Sequence, residues 1–383
     1  LAKIDIKTAE EEKVGVQVFF NFQPQGGKKM ADKVNWEWVN EWKKSPNPLG
    51  RTEDFKVIWE PYGLPEIVDP EGTKFGIGVE VQPKWNIPEK IYICQTIVGA
   101  FYSKKGNPNH PITPDEIKEE ALECLEAGAG SVHIHVRDEN GYNVLDPELF
   151  HYVIDPIREK YPDRLVCGCM VPFQDGEWDK FISCIEDGLL DQTPINTTAS
   201  FCGDTLFAKP PHVAIEKTRI CQELGVKPQI AVYSDGDIDN ADRYLIKTGL
   251  LEKPYYWIIL PNLPGGSPMQ NPKAMVEVLM HYVNRINEIS AREGDDNTQI
   301  VVCASGRASN YLTTFAMLLG LNVRVGKEDT VWRWPHKDEK IKRNVDTYLA
   351  TKQLAQILGR EEYVPDEWRQ KLNMRKPGGK LAR

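Results

Sequence analysis

Residues 90–137 read KIYICQTIVGAFYSKKGNPNHPITPDEIKEEALECLEAGAGSVHIHVR. They hold a β-branched run (90–98), a loop, a helical segment and a second β-branched run (131–137). Thr113 is placed to cap the helix, Pro114 to open it and Glu116 to close a capping box. Ile117, Ala121, Leu122 and Leu125 then recur at helical spacing, and Gly128 is a stop. This strand–helix texture continues downstream. SVHIHVR leads to a helix at 147–160, and RLVCGCMV to one holding Trp178, Phe181 and Ile185. A strand at 193–197 precedes a helix at 211–224, and KPQIAVYS one at 241–246. YYWIIL leads to a long helix at 272–289, QIVVCAS to YLTTFAMLL, and the short NVRVG to a helix at 345–357. The strands are almost continuously apolar, as strands buried on both faces are. Eight such units predict an α/β fold, a (β/α)8 TIM barrel over residues 90–383, with an open doubly wound sheet as the alternative.

Residues 1–89 show no such alternation. They carry Trp36, Trp38, Trp42, Trp59 and Trp85, a QPQGGKK stretch and several prolines. We read them as an irregular N-terminal extension packing on the barrel or on a neighbouring subunit; the aromatic content argues against a loose tail.

Composition narrows the function classes. Of 383 residues 41% are hydrophobic, enough for a large core. The formal charge of −9 leaves no basic excess for nucleic acid. No run of eighteen apolar residues appears, so no membrane span is expected. LAKIDIKTAEEEK at the start lacks the apolar stretch of a secretory signal. Eight cysteines form no CxxC pair and several sit in apolar runs, which fits a reduced cytoplasmic protein.

Reactive residues of a barrel sit at the C-terminal strand ends and in the loops that follow. His133 and His135, two apart on the second strand, put both imidazoles on one face. Paired histidines often only hydrogen-bond to neighbours; at a barrel strand end they can chelate one divalent ion. His110, His151, His212, His281 and His336 fall in loops or helices, so the third ligand is sought elsewhere. Glu328, in the turn leaving the eighth strand (VRVGKED), is the candidate, because in a closed barrel that strand neighbours the first. Two histidines and a carboxylate leave a position open for substrate. Arg324 beside Asp329 could hold that carboxylate ionised and aimed as a base. Without the barrel, both would pass as ordinary turn charges. Gly265 and Gly266 (LPNLPGGSP), with Gly306, Arg307 and Ser309 (SGRASN), lie in the sixth and seventh loops, where helix N-termini suit phosphate.

TIVGAF, NPNHPITPDEI, EAGAGSVHIHVRDENG, LPGGSP and GLNVRVGKED, in that order over residues 90–360, resemble the β-keto acid cleavage enzymes. The resemblance implies a zinc-dependent, homo-oligomeric (β/α)8 barrel. Such an enzyme lets a β-keto acid react with acetyl-CoA, giving acetoacetate and a new acyl-CoA. It implies zinc on His133, His135 and Glu328, catalytic Arg324 and Asp329, and coenzyme on the sixth and seventh loops, with Gly265, Gly266 and Arg307. The chain departs from the family's type member at the substrate tail. Phe101 and Ala231 stand where glutamates meet an ammonium group, Cys169 replaces a serine and Pro194 a threonine, while Asn196 is retained. These departures imply a tail that is neutral or apolar.

Alternatives from other classes remain. Metal-dependent hydrolases on barrels also use HxH, but typically add histidines on the fifth and sixth strands, where KPQIAVYS and YYWIIL have none. A metal-dependent aldolase or lyase that needs no coenzyme A fits the same residues. So does a non-catalytic scaffold, though less well given Arg324, Glu328 and Asp329.

Overall fold

The computed structural model describes residues 34–44, 84–172, 176–202, 205–261 and 269–375. Within residues 1–89 it describes one helix, Trp36–Lys43, and the stretch from Lys84 onward. The remainder of the extension, like Gly265 and Gly266, lies outside the described residues. No described helix is long and apolar enough to cross a membrane.

Eight parallel strands close into a barrel: β1 (Ile93–Thr96), β2 (Ser131–Ile134), β3 (Leu165–Gly168), β4 (Gln192–Asn196), β5 (Lys227–Val232), β6 (Tyr256–Ile259), β7 (Gln299–Cys303) and β8 (Asn322–Gly326). β8 pairs with β1 (Val323 opposite Ile93, Gly326 opposite Thr96), which closes the ring and rules out the open sheet. The outer helices are α1 (Pro114–Glu126), α2 (Pro147–Lys160), α3 (Glu177–Glu186), α4 (Pro211–Glu223), α5 (Asp235–Ala241), α6 (Pro272–Glu293), α7 (Ser309–Leu318) and α8 (Asn344–Ile357). α1 starts as expected: Thr113 Oγ1 accepts from Glu116 N, while the Glu116 carboxylate accepts from Thr113 N.

Alternation along each strand builds two cores. Val132, Ile134, Val166, Ile195, Ile230, Val302 and Val323 face the helices, while Cys94, Leu165, Ala231, Ile258, Val301 and Cys303 fill the interior. The N-terminal end of the barrel is plugged by the helix Pro365–Lys371. Its Trp368 is fully buried and stacks on Tyr92 at 4.3 Å between centroids. Only the C-terminal end is left for a site.

Three expectations need correction. The run at 90–98 is not one strand: Lys90–Ile91 pairs with Glu361–Glu362, and barrel pairing starts at Ile93. The cause is Asn322, whose Oδ1 takes the Tyr92 N–H at 2.9 Å. The helix expected at 241–246 starts earlier, at Asp235, because Ser234 and Asp237 form a capping box. Asp242–Ile246 continues it as a π-helical turn. Between the strand at 193–197 and the helix at 211–224, where no element was expected, the loop after β4 contains a hairpin, Ala199–Cys202 against Thr205–Ala208.

Gly326 ends β8 at φ +140, and a Cβ there would lie 1.9 Å from Thr96 O. Side chains rarely adopt this backbone, and the clash is with a strand. Gly326→Ala is expected to cost about 2–4 kcal/mol, near the upper range for single substitutions. Urea denaturation of the purified protein measures it; an unchanged midpoint would contradict the strand contact.

Candidate active site

His133, the third residue of β2, points inward, and His135 lies just beyond the strand's end. β8 delivers Glu328 two residues past its end, where the Glu328 N–H donates to Thr96 Oγ1 of β1 at 3.2 Å. The side chain folds over Gly99, where a Cβ would come within 2.2 Å of Glu328 Cγ. Arg137 fixes that stretch by donating to the carbonyls of Gly99 and Tyr102. The strand order thus brings three donors from two distant segments together. Glu328 Oε2 is 3.2 Å from His133 Nε2, and Oε1 is 3.3 Å from His135 Nε2.

These three ligand atoms lie within 4.8 Å of one another and form the candidate metal group among the described residues. His133 Nε2 and Glu328 Oε2 are buried without a hydrogen-bond partner in good geometry. Buried polar atoms without partners are costly, and a shared cation would satisfy both. The far side of each imidazole is engaged: His135 Nδ1 meets Asn143 Oδ1 at 2.7 Å and His133 Nδ1 meets Cys167 Sγ at 2.9 Å. An Nδ1–H donated to Asn143 leaves the His135 Nε2 lone pair aimed at Glu328, the tautomer a metal ligand needs. The residues therefore fit a divalent ion.

Electrostatics point the same way. Burial works against charge on Glu328, but Arg324, His133 and His135 outweigh it and hold the carboxyl well below its usual range. Burial dominates at His133 and pushes it well below its ordinary value. At His135 burial is overcome by Glu328 and Cys169, which lift it to about 10. One buried anion thus draws one positive charge, which a bound divalent cation would replace. Asp329 is lifted by burial to about 6 against the pull of Arg324.

Arg324 is buried against Cys303, its Nε 3.1 Å from Sγ. Its Nε–H donates to Asp329 Oδ2 at 3.0 Å, a second N–H to Asp329 Oδ1, and Nη2 donates to Glu328 Oε1 at 3.3 Å. Arg324 and Glu328 line a cavity of about 230 Å³ together with both histidines, whereas Asp329 is not on its wall. Asp329 stands behind the guanidinium. Phe101, Cys169, Pro194, Asn196 and Ala231 line this same cavity. Arg307 does not. It sits on the turn before α7, packs 3.3 Å from the Trp332 ring centroid and donates to Lys337 O and Asp338 Oδ1.

Several wall residues escaped the sequence reading. Asn143 returns to His135 through the DENG turn, which Arg137 and Asn143 bridge in antiparallel fashion; Gly141 was its available signal. Phe207, from the unexpected hairpin, lines the cavity between Phe101 (6.4 Å) and Tyr233 (6.0 Å). Tyr233 OH accepts from Asn196 Nδ2 at 3.3 Å. Glu177, in the first turn of α3, is a further carboxylate on the wall. No local signal marks Phe207 or Glu177.

A closed parallel barrel with a buried histidine–histidine–carboxylate group at its C-terminal end defines a candidate metal-dependent barrel enzyme. The chain belongs to the beta-keto acid cleavage enzyme family, whose model matches residues 90–374. It is 32% identical over 297 residues to a 3-keto-5-aminohexanoate cleavage enzyme of Fusobacterium nucleatum, covering 75% of this chain and 99% of that protein. It is 37% identical over 243 residues to a 3-oxoadipate:acetyl-CoA acetyltransferase of Cupriavidus necator, covering 62% of this chain and 80% of that one. In fold it is similar to ObcA in its complex with oxaloacetate. The TM-score is 0.57 at 16% identity, over 70% of this chain and 68% of that one.

Because Asn143 orients His135, Asn143→Ala is expected to weaken divalent-metal binding by about 10- to 100-fold with the fold retained. Competition against a chromophoric chelator, with zinc as the probe, reads this directly. Equal affinity in the two proteins would remove Asn143 from the site.

Proposed function

We propose that this enzyme cleaves a β-keto acid with acetyl-CoA as co-substrate, at a zinc centre held by His133, His135 and Glu328. The observation that carries the proposal is the buried three-donor group opening, beside Arg324, into one cavity. The Cupriavidus relative's name, with acetyl-CoA in it, supports the co-substrate. A zinc ion on these ligands would supply Lewis acidity toward a β-keto oxygen, although two histidines and a carboxylate suit other divalent metals too.

The chain's own residues account for the rest. Arg324 presents a fixed positive charge to the carboxylate of the substrate and to the charge that grows as its C2 proton leaves. Asp329 is the base. The proton reaches it across the guanidinium, which passes one N–H to the Asp329 carboxylate as it gains the substrate's proton, so Arg324 stays a cation throughout. The C2 carbanion then attacks the acetyl thioester carbonyl and coenzyme A thiolate leaves. That thiolate next adds to the original keto carbon, and the C2–C3 bond breaks. The acetoacetate carbanion so released takes back, across the Arg324 guanidinium, the proton that Asp329 holds, so the products are acetoacetate and the acyl-CoA of the substrate's tail.

The tail lies against Phe101, Phe207 and Ala231, which offer no counter-charge, so we assign a neutral or apolar tail. A second reading, a cationic tail, is favoured by Glu177 on the same wall. Substrate pairs decide between them. An uncharged 3-ketohexanoate should give a higher kcat/KM than its 5-amino counterpart, by at least about tenfold for an ammonium buried without its partner. The reverse order would select Glu177 and the cationic tail. Separately, Asp329→Asn should lower kcat by about 10²–10⁴-fold while bound zinc is unchanged. Metal analysis beside steady-state rates checks both halves, and undiminished turnover would refute the base assignment.

A further inference from the structure

A second cavity, of about 140 Å³, lies on the outer side of β7 and β8 between α7 and α8. Aromatic and basic residues alternate on its wall: Trp332, Arg333 and Trp334 from the loop leaving β8, and Lys342 from that loop's end. Thr313 and Thr347 line it from the two helices. The loop stretch 332–343, WRWPHKDEKIKR, holds five Lys or Arg against two Asp or Glu, in a chain whose formal charge is −9. Arg307 and Lys340 both crowd the Trp332 ring, at 3.3 and 2.9 Å from its centroid. Glu339 accepts from both Arg333 Nη1 (3.0 Å) and Trp334 Nε1 (3.1 Å), which holds the two side chains in one arrangement. Lys342 makes no ion pair among the described residues. Arg333, Arg307 and Arg343 are paired with Glu339, Asp338 and Glu123, and Asp346 also lies on the wall, so the charge left for a ligand here is that of Lys342 and the loop's net basic excess, beside the indole of Trp334.

That combination suits a heteroaromatic ring carrying phosphates. Indoles give a stacking face for a base, while arginine and lysine pair with phosphate oxygens. Loops after the seventh and eighth strands are also where barrels commonly hold phosphate. The two cavities sit on either side of one short segment. Arg324 and Glu328 line the metal cavity, and Val325 and Thr330 line this one. A ligand serving both must have a reactive end, a flexible middle and an anionic aromatic head.

We propose that the cavity between α7 and α8 receives the adenine ring and phosphates of a coenzyme A thioester, whose acyl end reaches over the loop to the metal cavity. The inference rests on the acetyl-CoA reading given above. Adenine packs against Trp334, and Lys342 and Arg333 take the phosphates. The net positive loop draws the polyanionic co-substrate to this edge of the barrel.

The test uses adenosine 3′,5′-bisphosphate, the nucleotide end of coenzyme A, in calorimetric titrations of the metal-loaded protein. The variants are Lys342→Gln, the double variant Arg333→Gln/Lys342→Gln, and Trp334→Ala. The double variant should bind the nucleotide at least about tenfold more weakly, the loss expected for one charge-assisted contact. Its KM for acetyl-CoA should rise by a similar factor, with kcat, the KM for the β-keto acid and metal content unchanged. Wild-type affinity in all three variants overturns the site. So does acetyl-CoA turnover by a wild type that does not bind the nucleotide, and that outcome leaves the proposed reaction standing. Nucleotide binding lost in the variants, with no acetyl-CoA consumed by wild type, keeps the site and overturns the reaction.

Discussion

A single buried carboxylate organises the catalytic end of this barrel. Glu328 faces two imidazoles and a guanidinium in a space largely closed to water, and such a charge survives only if its neighbours compensate it. Each neighbour is therefore specified. Arg324 must stay charged and hold its place, which Asp329 ensures from behind and Cys303 permits by being small. His135 must turn its Nε2 inward, which Asn143 arranges. The seat is the end of β1, where the Thr96 hydroxyl and the bare Gly99 backbone receive a residue from another strand end. Removing the carboxylate would leave Arg324 with Asp329 alone and both histidines without their common partner.

Much of this was legible in residue order. The repeated βα texture has only two common architectures, and paired histidines at a strand end narrow the site to the C-terminal face. Glu328 followed because barrel closure makes the eighth strand a neighbour of the first. Less was legible where packing, and not spacing, decides. Arg324, Glu328 and Asp329 fall within six residues of one strand end, and nothing local says that Asp329 stands behind the guanidinium. The hairpin carrying Phe207 has strands of only four residues each, too short for a period to register. Asn322 breaks the first strand through a side-chain contact from the neighbouring eighth strand, which no periodicity can register.

The site divides into two parts of different character. The candidate metal-binding part comes from β8, β1 and β2 and is braced by close contacts at Gly99 and Gly326. The rest of the cavity wall comes from the loop after β1, from β3 to β5 and from the hairpin. Selectivity can change on that wall without disturbing the ligands, which is consistent with family relatives named for different keto acids.

The stack of Trp368 on Tyr92 has a consequence for how the molecule is made. Tyr92 precedes the first barrel strand and is among the earliest barrel residues to leave the ribosome, whereas Trp368 comes after the last outer helix. Until that final helix emerges, the interior stays open at its base, and the tyrosines and cysteines lining it remain wet. The chain therefore commits its reactive end to a scaffold that cannot become watertight before the helix at 365–371 has been made. Contacts so distant in sequence close late.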